Sequence, residues 1–231
     1  MCWSRGGVGA DVVTVDGSDA DWLGFTPDFT ADDPDEAGVT LQGYDLDYTY
    51  YEWDQVNARM AFMMQTIDPT SQAYAADFVE FQLDADRNTG TGVNWHGAPG
   101  ADYMIEWDFD GTANTVYTPL SATHKALLKQ WNSGTSAWDT VAGLTSNDLR
   151  VAWGNHSTDY SIVEVTLNPT FLGFPANFAW GVYLDNGDVS ADDNSPDNMR
   201  QDGRTPEPGT LALLPLGLAG LAVWRRSRRG A

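Results

Sequence analysis

YDLDYTYYEWDQVNARMAFMMQTID, residues 44–68, contains two runs rich in aromatic and aliphatic side chains on either side of a polar turn. The turn falls at residues 54–57, between candidate strands 45–53 and 57–67. Two such runs around a short polar segment are typical of a β-hairpin. The stretch therefore predicts two antiparallel strands and makes an all-β fold the first hypothesis for the chain.

Two further stretches show the alternation that is expected of a half-buried strand. In FVEFQLD, residues 78–84, Val79, Phe81 and Leu83 share one face, and polar side chains lie between them. SIVEVTL, residues 161–167, repeats this pattern with Val163 and Val165 on its apolar face. Because successive side chains of a strand point to opposite faces, each stretch predicts one core face and one polar face.

Short strands separated by turn residues continue along most of the chain. The other candidates are residues 11–15, 77–84, 102–109, 114–118, 149–154, 161–167 and 178–184, and the short stretches 122–131 and 168–174 are open to a helical interpretation. Many strands at this spacing indicate two packed sheets. We therefore predict a two-sheet antiparallel β-sandwich, jelly-roll or immunoglobulin-like, over residues 11–185, followed by an acidic linker over residues 186–205.

The charge of the chain is strongly negative. Its 231 residues include 33 acidic and 12 basic side chains, for a net charge of −21, and 27 of the acids are Asp. A body of this charge repels nucleic acid, so a nucleic-acid partner is not expected. The single cysteine, Cys2, excludes an internal disulfide and a cysteine-based zinc site.

The segment LDADRNTGTG, residues 83–92, is the best candidate for a metal site. Asp84, Asp86 and Asn88 alternate directly after a predicted strand, and Asp102 opens the next one. Carboxylate and amide oxygens are ligands that Ca²⁺ prefers. The spacing is not that of an EF-hand, because Thr89 takes the place of the sixth-position glycine. The alternatives are a calcium site and an Asx-rich turn without an ion.

The body resembles the β-sandwich modules related to family 9 carbohydrate-binding and DOMON-like domains. The matching segments are VDGSDADW (15–22), WDQVNARMAFMM (53–64), FQLDADRNTGTG (81–92), GADYMIEW (100–107) and YLDNGDVSADD (183–193). The resemblance implies a β-sandwich with calcium near the Asp-rich loop. Such modules include sugar binders, haem binders and purely structural domains, so the resemblance leaves the function open.

The ten tryptophans offer candidate sugar contacts. Trp95 and Trp131 lie in or beside stretches rich in Gly, Ser and Asn, where exposure to a ligand is plausible, and core or rim packing is the alternative. The three histidines are far apart, and no serine lies in a nucleophile-elbow motif. The glutamates Glu80, Glu106 and Glu164 are expected at the surface of their strands. We therefore expect no enzyme activity, with a secreted carbohydrate-active hydrolase as the alternative.

The C-terminal segment TPEPGTLALLPLGLAGLAVWRRSRRGA, residues 205–231, combines three features in order. Pro206, Glu207 and Pro208 precede the apolar residues 211–224, which an arginine cluster follows, namely Arg225, Arg226, Arg228 and Arg229. As a helix, the apolar segment would measure roughly 21 Å, which is short for a lasting span. The arginines are expected to stay cytoplasmic and to place the preceding chain outside. A buried C-terminal helix of a cytosolic domain is the alternative.

This order of features resembles the PEP-CTERM sorting signal of Gram-negative bacteria, over residues 206–231. The resemblance implies recognition of Pro206–Pro208 by an exosortase, a transient stay of a short hydrophobic helix in the inner membrane, and delivery to the cell surface or extracellular matrix. It also implies a link with exopolysaccharide. Residues 1–10 have no apolar leader, and we expect them to be the remnant of an export signal or the product of a start assigned too far downstream.

The sequence as a whole therefore favours an exported, non-catalytic surface or matrix protein that binds calcium and polysaccharide. The alternatives are a secreted hydrolase and a structural surface protein without a small ligand.

Overall fold

The computed structural model of the chain describes residues 12–24, 26–32, 46–66, 78–108, 112–156, 160–185, 193–195 and 201–204. These residues form strands and two short 3-10 helices, Trp22–Gly24 and Pro169–Leu172. In chain order the strands are β1 (Phe29–Asp32), β2 (Leu46–Asp54), β3 (Arg59–Thr66), β4 (Phe78–Asp84), β5 (Val93–Trp95), β6 (Ala98–Ala101), β7 (Tyr103–Asp108), β8 (Leu127–Asn132), β9 (Ala137–Thr140), β10 (Leu149–His156), β11 (Tyr160–Leu167), β12 (Asn177–Asp185), β13 (Asp193–Ser195) and β14 (Gln201–Arg204).

The described strands form two antiparallel sheets that pack as a sandwich, as the sequence predicts. Sheet A has the order β1-β2-β3-β11-β10, and sheet B has the order β13-β12-β4-β7-β8-β9 with β14 also paired to β12. The predicted hairpin is formed by β2 and β3, in which Asp54 pairs with Arg59 at the turn. A separate small hairpin, β5–β6, lies between β4 and β7 in the chain.

The core lies between the two sheets and is rich in aromatic residues. Val79, Phe81 and Leu83 of β4 are buried in it, which confirms the predicted apolar face of this strand. Phe62 of sheet A packs against Trp180 of sheet B, with ring centroids 5.1 Å apart. Burial of this apolar surface is the main driving force for joining the sheets.

The segment 12–24, which we call the N-terminal strap, crosses the outer face of sheet A. The strand expected at residues 11–15 is not formed over the described residues 12–15, although Val13 and Val15 are buried as its alternation predicts. The backbone of this segment bonds to side chains and not to a neighbouring strand, since Asp54 Oδ2 accepts from the Val13 amide at 3.3 Å. The apolar pattern was therefore interpreted correctly as burial and wrongly as strand pairing.

Glu164 holds the middle of the N-terminal strap. Its Oε2 accepts from the amides of Asp16 and Gly17 at 3.0 and 2.8 Å, and its Oε1 accepts from Trp22 Nε1 at 2.8 Å. Its exposed fraction is 0%. The expectation that Glu164 lies at the surface was wrong, because the strap covers the polar side of β11.

Two other local expectations differ from the structure, and a third agrees with it. Residues 114–118 contribute an isolated bridge from Tyr117 to Val151 and no strand. The stretch 122–131 contains β8, which pairs with β7 and β9, and no helix. The stretch 168–174 does contain a short helical turn, which Asn168 caps. Pairing with neighbouring strands outweighs the weak helical preference of residues 127–131.

Sheet B also extends beyond residue 185. The segment 186–205, expected to be a linker, contributes β13 and β14, and both pair with β12 on the edge opposite β4. The unpaired amide and carbonyl groups of an edge strand readily accept a further strand. Residues 1–10 and the tail 206–231, with its expected hydrophobic helix at 211–224, lie outside the described residues.

Candidate functional site

The outer face of sheet B carries the polar side of β4, which ends at the predicted metal loop. Because side chains alternate along a strand, Glu80, Gln82 and Asp84 point away from the core that holds Phe81 and Leu83. The β5–β6 hairpin covers part of this face, and its Ala98 and Ala101 pack with Tyr183 of β12. The hairpin explains why Glu80 and Asp84 are only 6% and 4% exposed.

Three of the four predicted metal ligands come together in the structure. Asp84, Asp86 and Asp102 each offer a carboxylate oxygen, and these atoms lie within 4.8 Å of one another. We call these residues the acidic triad. Asp84 ends β4 and Asp102 lies between β6 and β7, so the pairing of β4 with β7 brings the two together. The fourth residue, Asn88, uses its Oδ1 to accept from the Gly90 amide at 3.0 Å.

Hydrogen bonds hold the loop that carries the acidic triad. The backbone amide of Asn88 donates to Asp86 Oδ1 at 2.8 Å, and the backbone amide of Ala85 donates to Asp102 Oδ2 at 3.0 Å. Gly100 allows β6 to approach the loop, because a Cβ at this position would lie 2.8 Å from the Thr89 Cα and 3.1 Å from Asp84 Oδ2. Its φ of +82° also favours glycine.

Negative charge accumulates at the acidic triad. Burial, and then the nearby charge of Asp86, raise the pKa of the Asp102 carboxyl to about 6, and Asp84 adds to the shift. Like charges disfavour one another's ionised forms, and a bound cation would relieve the repulsion. Oxygen ligands at this separation suit a hard divalent cation.

Both predicted sugar contacts belong to a cluster of three tryptophans on the same face of sheet B. The ring of Trp138 lies 5.8 Å from that of Trp95 and 5.5 Å from that of Trp131, in edge-to-face geometry. Trp131 and Trp138 are direct cross-strand partners in β8 and β9. All three side chains are half-buried. We call Trp95, Trp131 and Trp138 the tryptophan cluster.

Glu80 connects the tryptophan cluster to β4. Trp95 Nε1 donates to Glu80 Oε2 at 3.0 Å, and Gln82 Nε2 donates to the same oxygen at 3.1 Å. Burial raises the pKa of the Glu80 carboxyl to about 7, and these two hydrogen bonds oppose the shift. The surface position expected for Glu80 was wrong, since the β5–β6 hairpin covers a face that strand alternation alone marks as polar.

Glu106 faces Glu80 across the β4–β7 pair and is half-buried. Its Oε2 accepts from Lys129 Nζ at 2.5 Å in a salt bridge. Two glutamates therefore sit side by side, one held by an indole and an amide and the other by an ammonium group. Sequence reasoning missed this pair, because the alternation of single strands does not reveal which strands become neighbours.

Among the described residues, no helix combines the length and the apolar composition needed to cross a bilayer. The comparison with curated proteins finds no match for the chain. The comparison with protein families matches residues 204–229 to the PEP-CTERM protein-sorting motif, which confirms the expectation for the tail. The chain therefore carries a PEP-CTERM sorting signal at its C-terminal end and is an exported protein addressed to an exosortase.

Proposed function

We propose that this exported chain is a non-catalytic surface or matrix protein whose β-sandwich binds calcium and a polysaccharide. The observation that carries the proposal is the outer face of sheet B, where the acidic triad and the tryptophan cluster are joined by β4 and the β5–β6 hairpin. One kind of side chain suits a hard cation, and the other suits the apolar face of a sugar ring.

Calcium binding is supported by the three carboxylate oxygens within 4.8 Å and by the raised pKa of the Asp102 carboxyl. Extracellular calcium modules bind with Kd values of roughly 10⁻⁴–10⁻³ M. At 1 mM Ca²⁺ and the tighter end of that range, linkage gives about 1.4 kcal/mol of stabilisation. An exported protein does not need a lower Kd for calcium than this range, because other extracellular calcium modules bind within it.

The test is thermal unfolding of the full chain in EDTA and in CaCl₂ at roughly 1 mM, a concentration suited to such modules. We expect Ca²⁺ to raise the Tm of the wild type and to have no effect on Asp86→Ala or Asp102→Asn. Asp139→Ala removes an exposed carboxylate outside the triad and should respond like the wild type. A wild-type Tm that does not change with Ca²⁺ would overturn the calcium proposal.

Polysaccharide binding is supported by the half-buried tryptophan cluster and by the partly exposed Lys129–Glu106 pair beside it. Indole rings stack on the C–H faces of pyranoses, and neighbouring polar groups bond to the hydroxyls. In pull-down with insoluble polysaccharides, Trp131→Ala should weaken binding about tenfold, or roughly 1.4 kcal/mol. Leu23→Ala removes a side chain that is 73% exposed beside sheet A, and it should bind like the wild type.

We propose no catalytic role for the glutamates next to the cluster. One oxygen of Glu80 accepts hydrogen bonds from both Trp95 and Gln82, and Glu106 is ion-paired with Lys129. Neither carboxyl group is therefore free to act on a glycosidic bond. Incubation of the full chain with each bound glycan should release no reducing ends. Hydrolysis that Glu80→Gln abolishes would instead support the carbohydrate-active hydrolase.

The finer steps of sorting also belong to this proposal. Residues 211–224 would pause in the inner membrane, with Arg225, Arg226, Arg228 and Arg229 on its cytoplasmic side and Pro206–Pro208 presented to the exosortase. The product would reach the cell surface or matrix of a Gram-negative bacterium, where an exopolysaccharide is the expected partner.

A further inference from the structure

We propose that the tryptophan cluster selects glycans without acidic groups and discriminates against those that carry uronate carboxylates. This inference rests on the proposed function, because it names the class of polysaccharide that the same site would take. It is carried by the pairing of charges beside the cluster.

The tryptophan cluster presents uncharged indole rings to a ligand. Trp138 lies at the centre of the cluster, on strand β9 at the edge of the described part of sheet B, and the rings of Trp95 and Trp131 meet it edge-to-face. An aromatic face attracts the weakly positive C–H groups of a sugar and also cations, because its own quadrupole is negative. A carboxylate gains nothing from such a face.

Lys129 lies next to the cluster, and its ammonium group is already paired. It lies on the same face of β8 as Trp131, two residues away, and its Nζ donates to Glu106 Oε2 at 2.5 Å. The side chains of this pair are only 20% and 16% exposed, so solvent screens it incompletely. A uronate that approached Lys129 would have to displace Glu106 and would then face that second carboxylate.

Among the described residues, Glu80 adds a further carboxyl group beside the cluster. Glu80 lies under Trp95, and it gains negative charge above its pKa of about 7. The whole chain carries −21, so its field also disfavours a polyanion at low ionic strength. Close electrostatic repulsion and the long-range field therefore act in the same direction.

The experiment compares neutral polysaccharides with their C6-carboxylated derivatives, which share backbone and linkage and differ in charge. The probes are β-1,4-glucan, β-1,3-glucan and mannan, each in native and C6-oxidised form. Binding to the full chain is measured at pH 8, where histidine is neutral, in low salt and in high salt. We expect at least one neutral glycan to bind, and its oxidised form to bind at least tenfold more weakly in low salt.

A charge variant separates local repulsion from the field of the whole chain. Glu106→Gln frees the charge of Lys129, so it should narrow the difference between the two forms of the bound glycan. Asp139→Asn removes the same formal charge outside the Lys129 pair and should leave the difference nearly unchanged. Trp131→Ala should weaken binding of the neutral form in either background.

Each outcome decides between the two levels of the proposal. Equal or tighter binding of the oxidised form by the wild type would overturn this inference and leave polysaccharide binding intact. Failure of every glycan to bind would overturn the proposed polysaccharide function and the inference with it. A preference for neutral glycans that persists unchanged in Glu106→Gln would overturn the assignment to the Lys129–Glu106 pair.

Discussion

The protonation state of the Glu80 carboxyl depends on its burial under the β5–β6 hairpin. The β5–β6 hairpin leaves it 6% exposed, and burial raises its pKa from 4.5 to about 7. Between pH 4.5 and about pH 7, the Glu80 carboxyl keeps a proton in the folded protein that it has released in the unfolded chain. Stability from this group is therefore greatest below about pH 4.5 and declines as the pH rises towards 7. Glu164 and Asp102 shift in the same direction.

We predict that Glu80→Gln makes the stability less dependent on pH. The amide stays neutral, and its oxygen can still accept from Trp95, so the variant should lose part of the decline between pH 5 and pH 8. A full shift of this size corresponds to at most about 3 kcal/mol. Urea unfolding at several pH values measures the slope, with the exposed Asp139→Asn as control. An unchanged slope in Glu80→Gln would contradict the prediction.

At the scale of elements, the N-terminal strap depends on the close approach of two backbones. A Cβ at Gly154 of β10 would lie 2.0 Å from the Gly17 carbonyl oxygen and 2.7 Å from Asn114 Oδ1. Gly17 itself has a φ of +84°. The glycine in the VDGSDADW segment therefore has a packing reason, because it lets the strap turn tightly against sheet A.

We predict that Gly154→Ala destabilises the protein by about 1–3 kcal/mol, as overpacking of a close contact commonly does. The strap would have to shift, and the bonds from its amides to Glu164 would lengthen. Gly24→Ala is the matched control, since a Cβ there meets nothing within 4 Å. Chemical denaturation gives the stability, and hydrogen exchange of the Asp16 and Gly17 amides reports the strap. Equal stability of the two variants would show that the contact yields easily.

The strands show how far sequence patterns predict this fold. Alternation identified β4 and β11 with the correct apolar faces, because it records burial on one side of a strand. The same signal at Val13 and Val15 came from the strap, which is buried without ladder partners. All three residues of the acidic triad were predictable, because each lies at the end or the beginning of a predicted strand or in the loop that follows one. The Glu80–Glu106 and Trp131–Trp138 pairs were not predictable, because they depend on which strands become neighbours in the sheet.

At the scale of the whole molecule, the charge of the chain divides between body and tail. The arginines of the tail follow its apolar segment, while most acidic residues precede the sorting motif. Removal of the tail would therefore release a domain more acidic than the full chain. The negative charge makes copies of such a domain repel one another and also repel polyanions. This repulsion fits a neutral polysaccharide partner better than an acidic one.

We predict that Pro206→Ala combined with Pro208→Ala blocks processing while leaving the sandwich folded, because the two substitutions change no described residue of either sheet. In host cells the variant should accumulate in the inner-membrane fraction with its arginine tail still attached. The wild type should reach the surface without that tail. Cell fractionation followed by intact-mass measurement distinguishes the two forms, and Pro196→Ala, earlier in the same polar stretch, is the matched control. If the double variant reached the surface at the mass and rate of the wild type, the Pro-Glu-Pro element would not be what the exosortase recognises.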